Sequence, residues 1–122
     1  MPPRRSTSSV GQVAEALAAQ ELTTRGYRIV DRNVRFVAGE LDLVAWHGDV
    51  LVFVEVRSRA SARFGDARQA VGVGKRRQVS RMASLYLATR RLRPRRCRFD
   101  VVAITAGRID VVVDAWRLGE WA

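Results

Sequence analysis

Apolar residues recur along this chain with two periods, and the switches between them mark its elements. From Ser8 or Ser9, either of which can cap a helix, Val10, Val13, Ala14, Leu17 and Ala18 follow the i, i+3, i+4 rhythm of an amphipathic helix, and Gly26 supplies a stop. Glu21 falls on the apolar side of that helix, where fraying or an ion pair would account for it. From Tyr27 the period shortens. β-Branched and aromatic runs at Tyr27–Val30, Asn33–Val37, Glu40–Trp46 and Val50–Arg57 predict four strands, with turns at Gly39 and at His47-Gly48-Asp49. Alternation is lost over Ser58–Arg68, which predicts a loop of roughly ten residues, long enough to suspect a functional role.

The helical period then returns. Val79, Met82, Ala83, Tyr86 and Leu87 predict a second helix from about Gly74 to Arg91, ending before Pro94. Phe99–Thr105 and Arg108–Val113 predict two more strands around a turn at Ala106-Gly107. The order helix, strands, helix, strands indicates an α/β domain with a central mixed sheet and helices packed on it. We expect this domain over residues 9–114, after a disordered basic arm at 1–8 and before a C-terminal tail at 115–122.

Composition sharpens the picture. A chain of 122 residues with 48% hydrophobic content can close one core. Its net charge of +10, from 22 Lys+Arg against 12 Asp+Glu, indicates a polyanionic partner, nucleic acid ahead of a membrane surface. No apolar run approaches the ~18 to 20 residues that span a bilayer, and Met1–Ser9 has no apolar block of a signal peptide, so the expected location is the cytoplasm. Cys97 and His47 are the only residues of their kinds, which excludes an intrachain disulfide and a Cys/His zinc cage. Acid, base and metal chemistry would therefore fall mainly to carboxylates, Lys and Tyr.

The hairpin around Gly48-Asp49 is where carboxylates converge. With a two-residue turn, residues whose numbers sum to the same value as His47 and Val50 lie opposite one another. One face then carries Leu41, Leu43, Ala45, Val50, Val52, Val54 and Val56. The other sets Glu40 opposite Arg57, Asp42 opposite Glu55, Val44 opposite Phe53 and Trp46 opposite Leu51. Opposite Cβ atoms sit ~4.5 to 5.5 Å apart, where two carboxylates repel unless a cation or a proton lies between them. Hard oxygen ligands of this kind suit Mg²⁺ or Mn²⁺. A solvated polar face, with Glu40 paired to Arg57 and the other acids answered by nearby arginines, is the competing explanation.

Asp42, twelve residues, then Glu55-Val56-Arg57 resembles the acid, second acid and basic residue of the PD-(D/E)XK nuclease core. The wider string is more specific. Glu15, Gly26-Tyr27, Arg32-Asn33-Val34-Arg35, Gly39-Glu-Leu-Asp-Leu43, Val52-Phe-Val-Glu-Val-Arg57, Arg59, Phe64-Gly65 and Lys75 together resemble the YraN-like family of small bacterial proteins, itself similar to archaeal Holliday junction resolvases. The resemblance runs from about Gly11 to Ile104. It implies a restriction-endonuclease-like sheet flanked by helices, with Glu15, Asp42 and Glu55 as ligands of Mg²⁺ or Mn²⁺ and as catalytic residues. Arg57 then stands where the catalytic lysine is expected. Arginine keeps its proton and can only orient or stabilise charge. Since the chain has one lysine, Lys75, against 21 arginines, a general bias toward arginine also explains the exchange.

Basic segments supply candidate phosphate contacts. Arg90–Arg98 holds six arginines in nine residues, more than a helix C-terminus can use, so Arg93, Arg95 and Arg96 are expected to meet nucleic-acid backbone. Arg59, Arg63 and Arg68 in the long loop, with Lys75 and Arg76 at the second helix, extend that surface. Trp116 and Trp121 could stack on bases or cover a dimer interface. Val111, Val112, Val113, Trp116 and Leu118, with the pairing of resolvases on symmetric junctions, suggest a homodimer. The leading expectation is a metal-dependent endonuclease on structured or branched DNA. The rivals are a non-catalytic nucleic-acid-binding module that keeps the fold and an RNA-binding or assembly factor with structural carboxylates.

Overall fold

The computed structural model describes residues 9–59 and 70–117. In chain order these form α1 (Ser9–Thr24), β1 (Arg28–Phe36), β2 (Gly39–His47), β3 (Val50–Arg59), α2 (Val73–Arg90), β4 (Arg96–Thr105) and β5 (Arg108–Trp116). The five strands lie side by side in sequence order. All neighbours are antiparallel except β3 and β4, which run parallel. Parallel neighbours need a long crossover, and the segment containing α2 provides it. The result is the mixed α/β sheet with packed helices that the periodicity implied.

Alternation along the strands divides the core into two layers. Val44, Leu51, Phe53, Phe99 and Val101 pack with Val79, Met82, Ala83 and Tyr86 of α2. Leu43, Ala45, Val52, Val54 and Val102 pack with Ala18, Ala19 and Leu22 of α1. Leu41 departs from the expected face, joining the α2 layer rather than its neighbour Leu43. Helix α2 comes in close where β2 begins: a Cβ on Gly39 would lie 2.8 Å from the Gln78 side chain and 3.4 Å from Met82 Sδ.

Helix α1 turns a different face inward from the one its larger apolar residues suggest. Ala14, Ala18, Ala19 and Leu22 are buried, whereas Val13 is 59% and Leu17 40% exposed. Three small side chains let the helix approach the sheet closely, and this outweighs the two larger residues. Glu21 is accounted for by an ion pair with Arg25 at 2.8 Å. The two short strands expected between Tyr27 and Val37 are a single strand, β1, with a register irregularity between Ile29 and Asp31. Asn33 takes a positive φ of 51° within it, a conformation Asn tolerates better than most residues.

Strand β4 starts three residues before the expected Phe99, and β5 continues past the expected domain end at 114 to Trp116. Trp116 is 2% exposed and stacks on Phe99 with ring centroids 4.8 Å apart. Its Nε1 donates to Ser80 Oγ at 2.9 Å. It is therefore a core residue rather than a base-stacking or dimer-facing one. Val111 and Val112 pack against the two cores of their own chain, so of the apolar positions that suggested a dimer, Val113 is the described one left exposed. The arm at 1–8, Arg63 and Arg68 of the long loop, and Leu118 and Trp121 of the tail lie outside the described residues. Among the described residues no helix is long and apolar enough to cross a membrane.

Candidate active site

The β2–β3 hairpin has the register deduced from its turn: Val44 faces Phe53, Trp46 faces Leu51 and His47 faces Val50. Gly48, at the first central position, takes the positive φ of 64° that such a turn needs there. The ladder ends at Leu43 and Val54. Just beyond, Asp42 Oδ2 accepts the backbone N–H of Val56 at 2.8 Å, so a carboxylate takes the place of a strand carbonyl and the pairing gives way to a site. Glu40 consequently does not reach Arg57; it pairs with Arg35 of β1 at 3.7 Å.

Alternation puts Glu55 on the α2 side, where it is buried with 2% exposure. Its Oε1 lies 3.5 Å from Arg57 Nη2 and 3.5 Å from Lys75 Nζ. These are long ion pairs, and the other oxygen, Oε2, is buried and accepts no hydrogen bond. Burial, reinforced by the charge of Asp42, pushes the Glu55 carboxyl up to about 8, against the opposing pull of Lys75 and Arg57. Arg57 Nε is likewise buried without a hydrogen-bond partner. Two acids, one lysine and one arginine thus converge where β2 and β3 part. Lys75 reaches this point from the first turn of α2, whose N-terminus carries no acidic residue and adds the positive end of the helix dipole.

This donor set suits a divalent cation. Two carboxylates from neighbouring strands offer hard oxygen ligands, one of them an orphaned buried oxygen, and Mg²⁺ is commonly held by one or two carboxylates while keeping several waters. Glu15 is buried on α1, but among the described residues no group of three or more His, Cys, Asp or Glu draws together into a ligand set. Asp42 and Glu55 are the pair the fold brings together, and the third ligand implied by the resemblance is not gathered with them.

The basic residues divide between two ends of the sheet. Arg59 Nε donates to Thr105 Oγ1 at 3.3 Å across the parallel strands. Arg76 Nε donates to the Val71 carbonyl at 2.8 Å, and its guanidinium lies 5.6 Å from the Trp116 ring. Both are tied to structural partners at the α2 N-terminal end. Arg93, Arg95 and Arg96 instead follow the α2 C-terminus, about 27 Å away along an 18-residue helix.

A second buried charge site escaped the sequence reading. Asp100, fully buried in β4, accepts from Arg98 Nε at 2.9 Å, Arg98 Nη2 at 2.9 Å, Tyr27 Oη at 2.6 Å and the backbone N–H of Asp114 at 2.9 Å. Arg98 Nη2 also donates toward His47 Nδ1 at 2.8 Å, and the His47 ring stacks on Tyr27 with centroids 4.1 Å apart. The signal was a lone aspartate inside the apolar run of β4. Lys75 stood out as the chain's single lysine, as part of the resemblance and as a candidate phosphate contact, but nothing in its spacing tied it to Glu55.

Residues 14–104 match the family described as Uncharacterised protein family UPF0102. The chain is 52% identical over 98 residues to a UPF0102 protein of Symbiobacterium thermophilum, covering 80% of this chain and 83% of that protein. It is 48% identical over 98 residues to a UPF0102 protein of Moorella thermoacetica, with 80% and 82% covered. A UPF0102 protein of Syntrophus aciditrophicus matches over 112 residues at 42% identity, 88% of each chain. The matched span takes in most of α1, the hairpin, Lys75 and nearly all of β4, and with it every described member of the acid site. The chain belongs to the UPF0102 family, the YraN-like proteins.

Proposed function

We propose that this protein is a divalent-metal-dependent endonuclease of the PD-(D/E)XK type, with a restriction-endonuclease-like sheet, acting on structured or branched DNA. The observation that carries the reading is the pair Asp42 and Glu55 at the point where β2 and β3 separate, with an orphaned buried oxygen and two cations close by. A structural acid would be fully hydrogen-bonded; Glu55 instead holds its two cations at 3.5 Å and leaves one buried oxygen without a hydrogen bond. The net charge of +10 supports a polyanionic substrate.

Asp42 and Glu55 would hold Mg²⁺ or Mn²⁺ in this reading. When bound, such an ion supplies a Lewis acid for the phosphoryl oxygen and lowers the pKa of water. Arg57 stabilises the negative charge that grows on the phosphate and keeps its own proton throughout. Lys75 provides what Arg57 cannot, an amine able to exchange a proton, within reach of the same carboxylate. In the overall step a water oxygen bonds to phosphorus, the bond from phosphorus to the leaving oxygen breaks, and that oxygen takes up a proton. A lysine brought from α2 thus offsets the arginine in the hairpin motif.

A second reading has its own support. Glu55 is already flanked by Arg57 and Lys75, and no third acid joins it among the described residues, as suits a DNA-binding module without turnover. Cleavage of duplex, flap and four-way DNA in Mg²⁺ and in Mn²⁺ separates the two. The nuclease reading expects product with the wild type, none with Asp42→Asn, and a loss on the order of 10² to 10³ in rate with Lys75→Ala. Salt-sensitive DNA binding without product in either metal would favour the binding module.

A further inference from the structure

At the opposite end of the sheet from the acid pair lies a cavity of about 650 Å³, the size of a small-ligand site. Its lining includes Val50, Leu87, Leu92 and Cys97. Five arginines line it against a single aspartate, Asp114. By the β3–β4 register, Arg96 faces Val50 and Val101 faces Glu55, so this cavity and the acid pair are separated by about 17 Å of strand.

The arginines are displayed here by the backbone. Helix α2 is capped by Arg91, in the left-handed conformation with φ 55° and its N–H directed to the carbonyls of Ala88 and Leu87. Leu92 then folds back, its N–H bonded to the Leu87 carbonyl at 3.0 Å, and both Leu92 and Cys97 pack against the α2-side core. The intervening Arg93, Arg95 and Arg96 are exposed. Among the described residues Arg93 and Arg95 make no ion pair, and Arg96 has only a 4.0 Å contact to the largely exposed Asp49. A helix C-terminus favours one or two nearby cations, not a cluster of this density. An anion would relieve the mutual repulsion, and guanidinium forks match phosphate oxygens in charge and geometry.

We propose that this cavity binds a phosphate monoester on an organic group of nucleotide size, with Arg93, Arg95 and Arg96 on the phosphate and the organic part against Leu87, Leu92 and Cys97. Leu87, Leu92 and Cys97 beside the arginines suit a ligand with an organic part as well as a phosphate. The inference stands apart from the nuclease reading and requires no metal. The phosphate could belong to a free nucleotide or to the end of a nucleic-acid strand.

Titration calorimetry of the full chain in EDTA, with adenosine 5′-monophosphate, adenosine and inorganic phosphate as probes, tests it. The nucleotide is expected to bind more tightly than either fragment. Arg93→Ala with Arg95→Ala should weaken nucleotide binding by about tenfold or more, whereas the charge-matched pair Arg28→Ala with Arg32→Ala on β1 should change it by less than about twofold. Cys97, the only cysteine, reports occupancy directly: saturating nucleotide should slow its alkylation in the wild type and in the β1 variant. Failure of the nucleotide to bind, equal losses in the two double variants, or an unprotected Cys97 would overturn the proposal. Tighter binding of a 5′-phosphorylated oligonucleotide than of its 5′-hydroxyl twin would assign the site to strand ends; equal binding would assign it to free nucleotides.

Discussion

Glu55 and Asp100 are both acids buried in the sheet, and they are treated in opposite ways. Asp100 receives four hydrogen bonds of 2.6 to 2.9 Å, two of them from one guanidinium that aligns with both of its oxygens. Glu55 has two cations no closer than 3.5 Å, a second acid beside it, and one oxygen that accepts nothing. The first arrangement joins Tyr27 before β1, the end of β2, β4 and β5 around a closed network. The second leaves a buried oxygen without a hydrogen bond, which a bound cation can engage. A buried charge whose partners are complete holds a fold together, whereas one whose partners are incomplete points to function.

The sharpest way to break the comparison is to remove the satisfied acid. Asp100→Ala removes the carboxylate that pairs Arg98 and accepts from the Tyr27 hydroxyl and the Asp114 N–H, and is expected to cost about 3 to 5 kcal/mol in urea unfolding. Tyr27, whose hydroxyl burial and Asp100 push up to about 12, should lose the part of that elevation that Asp100 supplies in the same variant if it remains folded.

At Glu55 the sign reverses. Its carboxyl titrates near 8 in the folded chain against an ordinary 4.5, so the folded state keeps a proton that the unfolded chain releases. That contribution to stability is complete below pH 4.5 and is lost as pH rises through about 8. Glu55→Gln cannot ionise, so in EDTA it should match the wild type at low pH and gain about 1 to 3 kcal/mol over it by pH 8.5. Denaturation series at several pH values would reveal a parallel offset instead if the acid were structural.

A smaller contrast lies in the arginines. Arg57→Lys should change apo stability by less than about 1 kcal/mol, since its contact to Glu55 is long and partly exposed. Arg98→Lys loses a bidentate pairing and should cost about 1.5 to 3 kcal/mol. Equal effects at the two positions would mean the sites are less different than their geometry.

What the chain disclosed in advance follows from how local each signal is. The hairpin register was legible from Leu43 to Val54 because one glycine turn fixes the opposite pairs near it, while the expected Glu40–Arg57 pair failed beyond the end of the ladder; α2 was legible because Val79, Met82, Ala83 and Tyr86 are apolar and regularly spaced. The buried face of α1 was misread because alanines carry it, and the advantage of a small residue appears only against the surface it approaches. The Asp100 network was invisible because its partners are up to 73 positions apart. Lys75 meets Glu55 across the segment that joins β3 to α2, a contact set by the crossover and not by spacing. Trp116 looked like a tail residue because nothing before it announced that β5 would continue.

That Asp42 and Glu55 form a cation site is most directly examined by titration calorimetry with Mn²⁺, run in two buffers of different ionisation enthalpy. The wild type should bind Mn²⁺ and release protons as it does so, because Glu55 must give up its proton to coordinate. Asp42→Asn with Glu55→Gln should show neither heat nor proton release while still unfolding cooperatively. Binding of equal strength by the wild type and the double variant would contradict the assignment.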